Sequence, residues 1–290
     1  MKIGINSNTM DTGGYGRFGE DTYKKLKEHG YLYTDLSISN TDLPVYSLPQ
    51  AQSDALLAKE REMAEAVGIK INQVHGPWRW PIGDATVEDR AERMEKMKKS
   101  IRAASILGSK YWVIHPIMPY GIEELGTEDA PKTWQLNKEF MSELLKTAKE
   151  YDVVICLENL PFPDFSMATP EAILKFVREM DDDHFKICLD TGHVSVFDNL
   201  NLGDEVRRVG SELKTLHVHD NKQNKDLHLM PHYGVIDWKE FVKSLKDIGF
   251  EGVFSLETKP APGLNDEMFD RMGKLLYEIT EDIAKDLDKE

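Results

Sequence analysis

Three observations predict an α/β fold, a single (β/α)8 TIM barrel with residues 1–290 as one domain. Eight short apolar runs alternate with longer amphipathic or polar stretches, which is the signature of strand-helix units that build a parallel sheet. A length of 290 residues matches one closed barrel better than an open sheet. No linker or low-complexity segment divides the chain.

The elements follow in order. Residues 3–6 form a first strand, and the loop 9–19 leads into a charged helix that ends near His29-Gly30. A second strand covers 32–38, and its helix, 51–67, repeats apolar residues at the helical period until Gly68 stops it. Strand three is 70–75, followed by a long helix over 87–107 that ends at Gly108. Strand four, 111–115, stops where Pro116 cannot donate to a ladder. A helix over 131–151, strand five at 152–158 and a helix over 170–179 come next. Strand six is 185–190, a short helix is 202–209, and strand seven is 213–219. The last elements are a helix over 237–248, strand eight at 252–257 and an acidic helix over 265–287.

Charge narrows the partners. Lys and Arg number 36 against 51 Asp and Glu, a formal net charge of −15, so a polyanion is repelled unless a local basic groove reverses the field. No nucleic acid is expected as a partner, and no membrane, because no run approaches the length of a spanning helix. The start, Met1-Lys-Ile-Gly-Ile-Asn, carries no basic region before a long apolar stretch, so a cytoplasmic protein is expected. Cys156 and Cys188 each fall inside a strand, where cysteine packs as a small hydrophobe, and are expected as core thiols in a reducing compartment.

The later strands end on chemistry. Strand three ends at His75, four at His115, five at Glu158, six at Asp190, seven at His217 and His219, and eight at Glu257. In a closed barrel these ends surround one mouth, where barrel enzymes place their reactive groups. A lone buried His is usually a hydrogen-bonded core residue, and a strand-end acid often caps a helix. Six consecutive strands repeat the pattern, and so many carboxylates together resist joint ionisation unless a cation is present. Mixed imidazole and carboxylate groups suit a divalent ion such as Mn, Co, Mg or Zn. In Asp190-Thr-Gly-His193 the expected role of Gly192 is to let the backbone reverse, so that acid and imidazole converge. Asp226-Leu-His228 repeats an acid-His spacing in the polar loop after strand seven.

Two further stretches bear on ligands. Trp78-Arg79-Trp80, just past His75, offers aromatic faces for the C–H groups of a ligand beside a cation, and tryptophans that merely pack the loop are an equal alternative. Lys222, Lys225 and Lys259 can meet a phosphate, although loop lysines are usually solvated. Gly14-Tyr-Gly-Arg-Phe-Gly19 has dinucleotide spacing, with Asp35 near the expected acid, but it does not follow its strand at once and is read as a rim loop.

The strings Leu157-Glu-Asn159, Leu189-Asp-Thr-Gly-His193, His217-Val-His-Asp-Asn221, Asp226-Leu-His228 with Tyr233-Gly-Val-Ile-Asp-Trp238, and Leu256-Glu-Thr258 occur in one order. Together they resemble the sugar phosphate isomerase/epimerase family, xylose-isomerase-like TIM barrels that include endonuclease IV. The resemblance covers most of the chain from His75 to Glu257. It implies metal ligands at Glu158, Asp190, His217 and Glu257, with Glu158 and Glu257 also exchanging protons and His193 touching substrate. His193, as a catalytic residue, and His219 would orient hydroxyls or shuttle protons.

The additional ligands of the trinuclear zinc endonucleases would fall on His75, His115, His193, Asp226 and His228. Two departures stand against that branch or leave the loop shape open. Pro231-His-Tyr-Gly234 replaces the usual Pro-Gly-x-Gly, and no basic DNA-clasping loop is found. The resemblance thus implies a divalent-metal-dependent isomerase or epimerase of a sugar or sugar phosphate, working through proton abstraction beside a carbonyl. A dehydratase or keto-glycoside lyase, or an abasic-site phosphodiesterase, stands as the alternative. A small-molecule sugar is the expected partner, and a homo-oligomer is expected by analogy with relatives. A non-catalytic sugar-binding barrel is the least favoured, since binding alone rarely needs so many ionisable groups.

Overall fold

The structure, a computed structural model, describes residues 2–10, 19–79, 82–223, 225–258 and 263–285. Eight strands form one parallel sheet: β1 (Lys2–Asn6), β2 (Tyr33–Ser37), β3 (Lys70–His75), β4 (Tyr111–Ile114), β5 (Val154–Glu158), β6 (Phe185–Asp190), β7 (Leu213–His217) and β8 (Val253–Leu256). Their order is β7-β6-β5-β4-β3-β2-β1-β8. Val218, just past β7, joins the two ends: its N–H donates to the Ser255 carbonyl at 2.8 Å and its carbonyl accepts from Glu257 N–H at 2.9 Å. The sheet is therefore a nearly closed barrel, as the alternation of elements predicts.

The helices lie between the strands in sequence: α1 (Glu20–His29), α2 (Pro44–Ser47), α3 (Gln50–Ala66), α4 (Val87–Ile106), α5 (Ala130–Glu150), α6 (Pro170–Met180), α7 (Thr191–Ser195), α8 (Leu202–Val209), α9 (Trp238–Asp247) and α10 (Asp266–Ala284). Local chemistry sets their ends. Thr86 and Asp89 make a reciprocal capping box at the start of α4. Gly68 and Gly108 close α3 and α4 with φ of 78° and 77°, the left-handed turn that glycine adopts without a Cβ penalty. The described part of the last helix ends near residue 285, so the expected extension to 287 lies outside the described residues.

Two cores result. A large one packs the outward faces of the strands against the helices, with Trp112, Phe176, Phe185, Phe241 and Phe254 fully buried. A smaller one, Val113, Val154, Cys156 and Cys188, lies on the alternate, inward face. Both thiols are free and buried one layer below Glu158 and Asp190, in the packing role expected of them. Burial pushes the Cys156 thiol up to about 12, which keeps it protonated. Among the described residues no helix is long and apolar enough to cross a membrane.

Candidate metal centre at the barrel mouth

The strand ends converge as the sequence pattern predicts. His75, Glu158, Asp190 and His217 are the last residues of β3, β5, β6 and β7, while His115 and Glu257 follow β4 and β8 by one residue and His219 follows β7 by two. Glu158, Asp190, His217 and Glu257 each offer one ligand atom, all within 4.8 Å of one another. His217 Nδ1 lies 2.9 Å from Glu158 Oε1 and 3.3 Å from Glu257 Oε2. Glu158, Asp190 and His217 are at most 1% exposed, so three carboxylates and an imidazole meet in a largely dry space. Three acids with one nitrogen form a donor set that a hard or borderline divalent ion fits.

The electrostatics point the same way. Burial opposes ionisation of Glu158, yet His217 and His115 hold its carboxyl well below the usual carboxylate range. Asp190 is likewise lowered, against burial, by His193 and His219. Burial works against a charged His217, but neighbouring acids, Glu158 and Glu257 among them, raise it well above an ordinary imidazole. In the bare protein, then, protons on histidines supply the positive charge that these acids need. A bound divalent ion would supply it instead.

Two other groups share the mouth. His75 Nε2 and His115 Nε2 approach Glu158 Oε2 at 3.5 Å and 3.1 Å, and His75, Glu158 and His217 can also share an ion. Burial pulls His115 down to about 4, leaving a neutral ring. His193, His219, Asp226 and His228 form the third group. His228 Nε2 lies 3.3 Å from Asp226 Oδ2, and the rings of His219 and His228 stack at 4.0 Å. His228 has φ of 48°, an uncommon value for a side-chain-bearing residue and one often found where function dictates the backbone.

Backbone carbonyls orient several rings. Nδ1 of His75, His193 and His228 each lies 2.8 Å from a carbonyl, of Gly76, Asn159 and Glu257 respectively. A carbonyl only accepts, so each Nδ1 carries hydrogen and each Nε2 is turned to the acids of the mouth.

The local backbone departs from expectation at Gly192. The chain does not reverse there; Asp190 caps a single helical turn, α7, its Oδ1 accepting from His193 N–H at 2.7 Å. What requires glycine is close approach, because a Cβ at 192 would stand 1.9 Å from the His219 ring. His232, in place of the expected glycine of Pro231-His-Tyr-Gly234, adopts φ of 72°, the left-handed conformation that glycine favours. A Cβ on Gly234 would meet Asn221 O at 2.1 Å, so the loop keeps its tight course despite the substitution.

A cavity of about 290 Å³ opens above the acids. Trp78 and Leu160-Pro161-Phe162 supply apolar wall, and Asn8, Ser37 and Ser39 supply polar wall. Trp78 packs its edge on His115 with ring centroids 4.6 Å apart, combining the packing and ligand-facing alternatives. Arg79 turns the other way, donating to the Gly83 carbonyl and lying 3.8 Å from both Asp89 and Glu92. Lys222 and Lys225 are exposed and do not line the cavity. Trp80, Lys259 and residues 14–18 of the spaced-glycine loop lie outside the described residues.

Asp35 is the residue that sequence reasoning missed. Fully buried on β2, it places Oδ2 2.9 Å from His217 Nε2. Its signal was present, an acid in an apolar strand that leads to the same rim, but one carboxylate in a run looks locally like any strand-end cap. Ser37, Ser39 and Asn8 carried no signal, since hydroxyls and amides are common near loops.

Barrel, rim chemistry and mouth define a class, and comparison places the chain within it. A family model described as xylose isomerase-like TIM barrel matches residues 23–275, and the chain belongs to that family. Among its relatives, the uncharacterized protein MJ1311 of Methanocaldococcus jannaschii is 28% identical over 240 residues, covering 81% of this chain and 78% of that protein. The D-psicose 3-epimerase of Ruminiclostridium cellulolyticum is 27% identical over 229 residues, covering 77% and 72%. A crystal structure described as a D-tagatose 3-epimerase-like protein superposes with a TM-score of 0.75 at 26% identity, over 99% of each chain.

Proposed function

We propose that this protein is a divalent-metal-dependent epimerase of an unphosphorylated ketose. The observation that carries the reading is the placement of Glu158 and Glu257. Glu158 ends β5 and Glu257 directly follows β8, on either side of the β6–β7 pair, and both approach the same nitrogen of His217. Two carboxylates that approach one ion site from different strands could serve the two faces of one carbon. One takes the proton from the carbon beside the carbonyl, and the other returns a proton to the opposite face, inverting the centre.

A divalent ion held by Glu158, Asp190, His217 and Glu257 would polarise the carbonyl and stabilise the negative charge that develops on oxygen. His193, fastened through Nδ1 to the Asn159 carbonyl at 2.8 Å, presents Nε2 to a substrate hydroxyl. Trp78 and Phe162 would cover C–H faces, and Asn8, Ser37 and Ser39 would meet hydroxyls. Among the described residues no lysine or arginine lines the cavity, while Asp226 and Glu257 do, which favours a neutral sugar over its phosphate. The epimerase name of one relative supports the reaction class. Residues 1–290 would act as one catalytic barrel.

Metal-loaded protein incubated with a panel of ketoses in deuterated water tests the shared step. Deuterium on the carbon beside the carbonyl, with an inverted centre in the product, is expected; no label across the panel would overturn the reading. Label with loss of a β-substituent would assign a dehydratase or lyase to the same site.

A second reading has its own observation. The three ligand groups at one mouth include every residue that the resemblance assigns to a trinuclear phosphodiesterase except His115, whose Nε2 lies 3.1 Å from Glu158 Oε2. Metal counting separates the two: three tightly held zinc ions with nicking of abasic DNA would replace the epimerase, and one exchangeable ion supports it.

A further inference from the structure

Asn6, Asp35 and Gln73 lie in register across β1, β2 and β3, Asn6 paired with Asp35 and Asp35 with Gln73. The register of β2 on β3 shifts between Thr34 and Asp35. Asp35 Oδ2 accepts from Asn6 Nδ2 at 3.2 Å and from Gln73 Nε2 at 3.2 Å. Gln73 Nε2 also reaches the Leu216 carbonyl at 3.2 Å, tying this row to β7 across the barrel. The same Oδ2 lies 2.9 Å from His217 Nε2. All four side chains are at most 2% exposed, so water does not compete for these bonds.

An acceptor already serving two amide N–H groups meets the imidazole as an acceptor again, so the proton of His217 belongs on Nε2. Nδ1, 2.9 Å from Glu158 and 3.3 Å from Glu257, is then the nitrogen that a bound ion would take, in place of the proton it shares with the acids in the bare protein. We propose that Asp35 is a positioning residue that, braced by Asn6 and Gln73, holds His217 with Nδ1 free to bind the divalent ion. This inference rests on the ion site of the proposed function and not on the reaction carried out there.

Carboxylates behind a ligating histidine typically change metal affinity 10- to 100-fold when removed. Mn2+ titrated calorimetrically into metal-free wild-type, Asp35→Asn and Asp35→Ala proteins reads this directly, with circular dichroism reporting the fold. Affinity is expected to fall about 10- to 100-fold in Asp35→Ala and less in Asp35→Asn, whose amide oxygen still accepts from Nε2. Histidine 15N spectra of the Zn2+-loaded wild type are expected to place the His217 proton on Nε2. A folded variant with unchanged Mn2+ affinity, or a proton found on Nδ1, would overturn the inference. Should Asp35→Ala fail to fold, Asp35→Asn and the wild-type 15N spectrum decide alone. A wild-type protein that binds no Mn2+ would overturn the ion site itself, an outcome distinct from the other two.

Discussion

The two ends of this barrel hold cavities of opposite character. At the amino ends of β2, β3 and β4 a cavity of about 540 Å³ lies between strand starts and the tails of α3 and α4, lined by Arg61, Glu65, Lys70 and Lys110. The mouth cavity is about 290 Å³, roughly half as large. Charge at the larger one is solvated: Arg61 Nε and Glu65 Oε1 pair at 2.7 Å on side chains 45% and 56% exposed, and Lys110 pairs with the exposed Asp152. At the mouth, Glu158 and Asp190 are buried and held ionised by histidines. Space measures how a ring of strands meets its helices, whereas charge kept out of water at a free-energy cost is what makes the mouth the candidate site.

The largest effect should come from the mouth. Glu158→Gln keeps side-chain volume and removes a charge shared by His217, His115 and His75. Turnover is expected to fall by about 10²- to 10⁴-fold, the span of a lost acid-base group, and initial rates on a labelled ketose would measure it. An unchanged rate would erase the distinction between the two ends.

A smaller effect concerns pH. In the metal-free protein burial disfavours a charged His228, but the bond to Asp226 and the charge of Glu257 outweigh it and raise the ring from 6.5 to about 9. The folded state therefore holds a proton that the unfolded chain gives up earlier. This contribution to stability is complete below pH 6.5 and fades as pH rises through about 9. Urea midpoints of metal-free protein should decline across that window, and His228→Gln should reduce the decline.

The smallest effect is expected at the other end. Arg61→Ala and Lys110→Ala should change stability by no more than about 0.5–1 kcal/mol, as exposed pairs do, and leave kcat/KM unaltered. A loss of activity there would show that the larger cavity takes part.

Much of the mouth was legible before any coordinates. Short apolar runs halted by glycine, proline or a single acid located His75, His115, Glu158, Asp190, His217 and Glu257 at strand ends, because strand period and breakers are local properties. Arg79 shows where local reading stops. Beside two tryptophans it looked ligand-facing, but Asp89 and Glu92 on α4 draw it outward. Asp35 shows the converse, since its importance comes from His217, 182 residues away.

By itself the sequence determined the alternation of strands and helices and the residue types carried to the rim, since both follow from interactions among near neighbours. Only the tertiary structure decided which nitrogen of each histidine faces the acids, why Gly192 must be glycine and how Asp35 comes to brace β7. Those depend on strands far apart in the chain being drawn together by Val218 and the closing hydrogen bonds. Local patterning cannot encode a distance that exists only once the ring is shut.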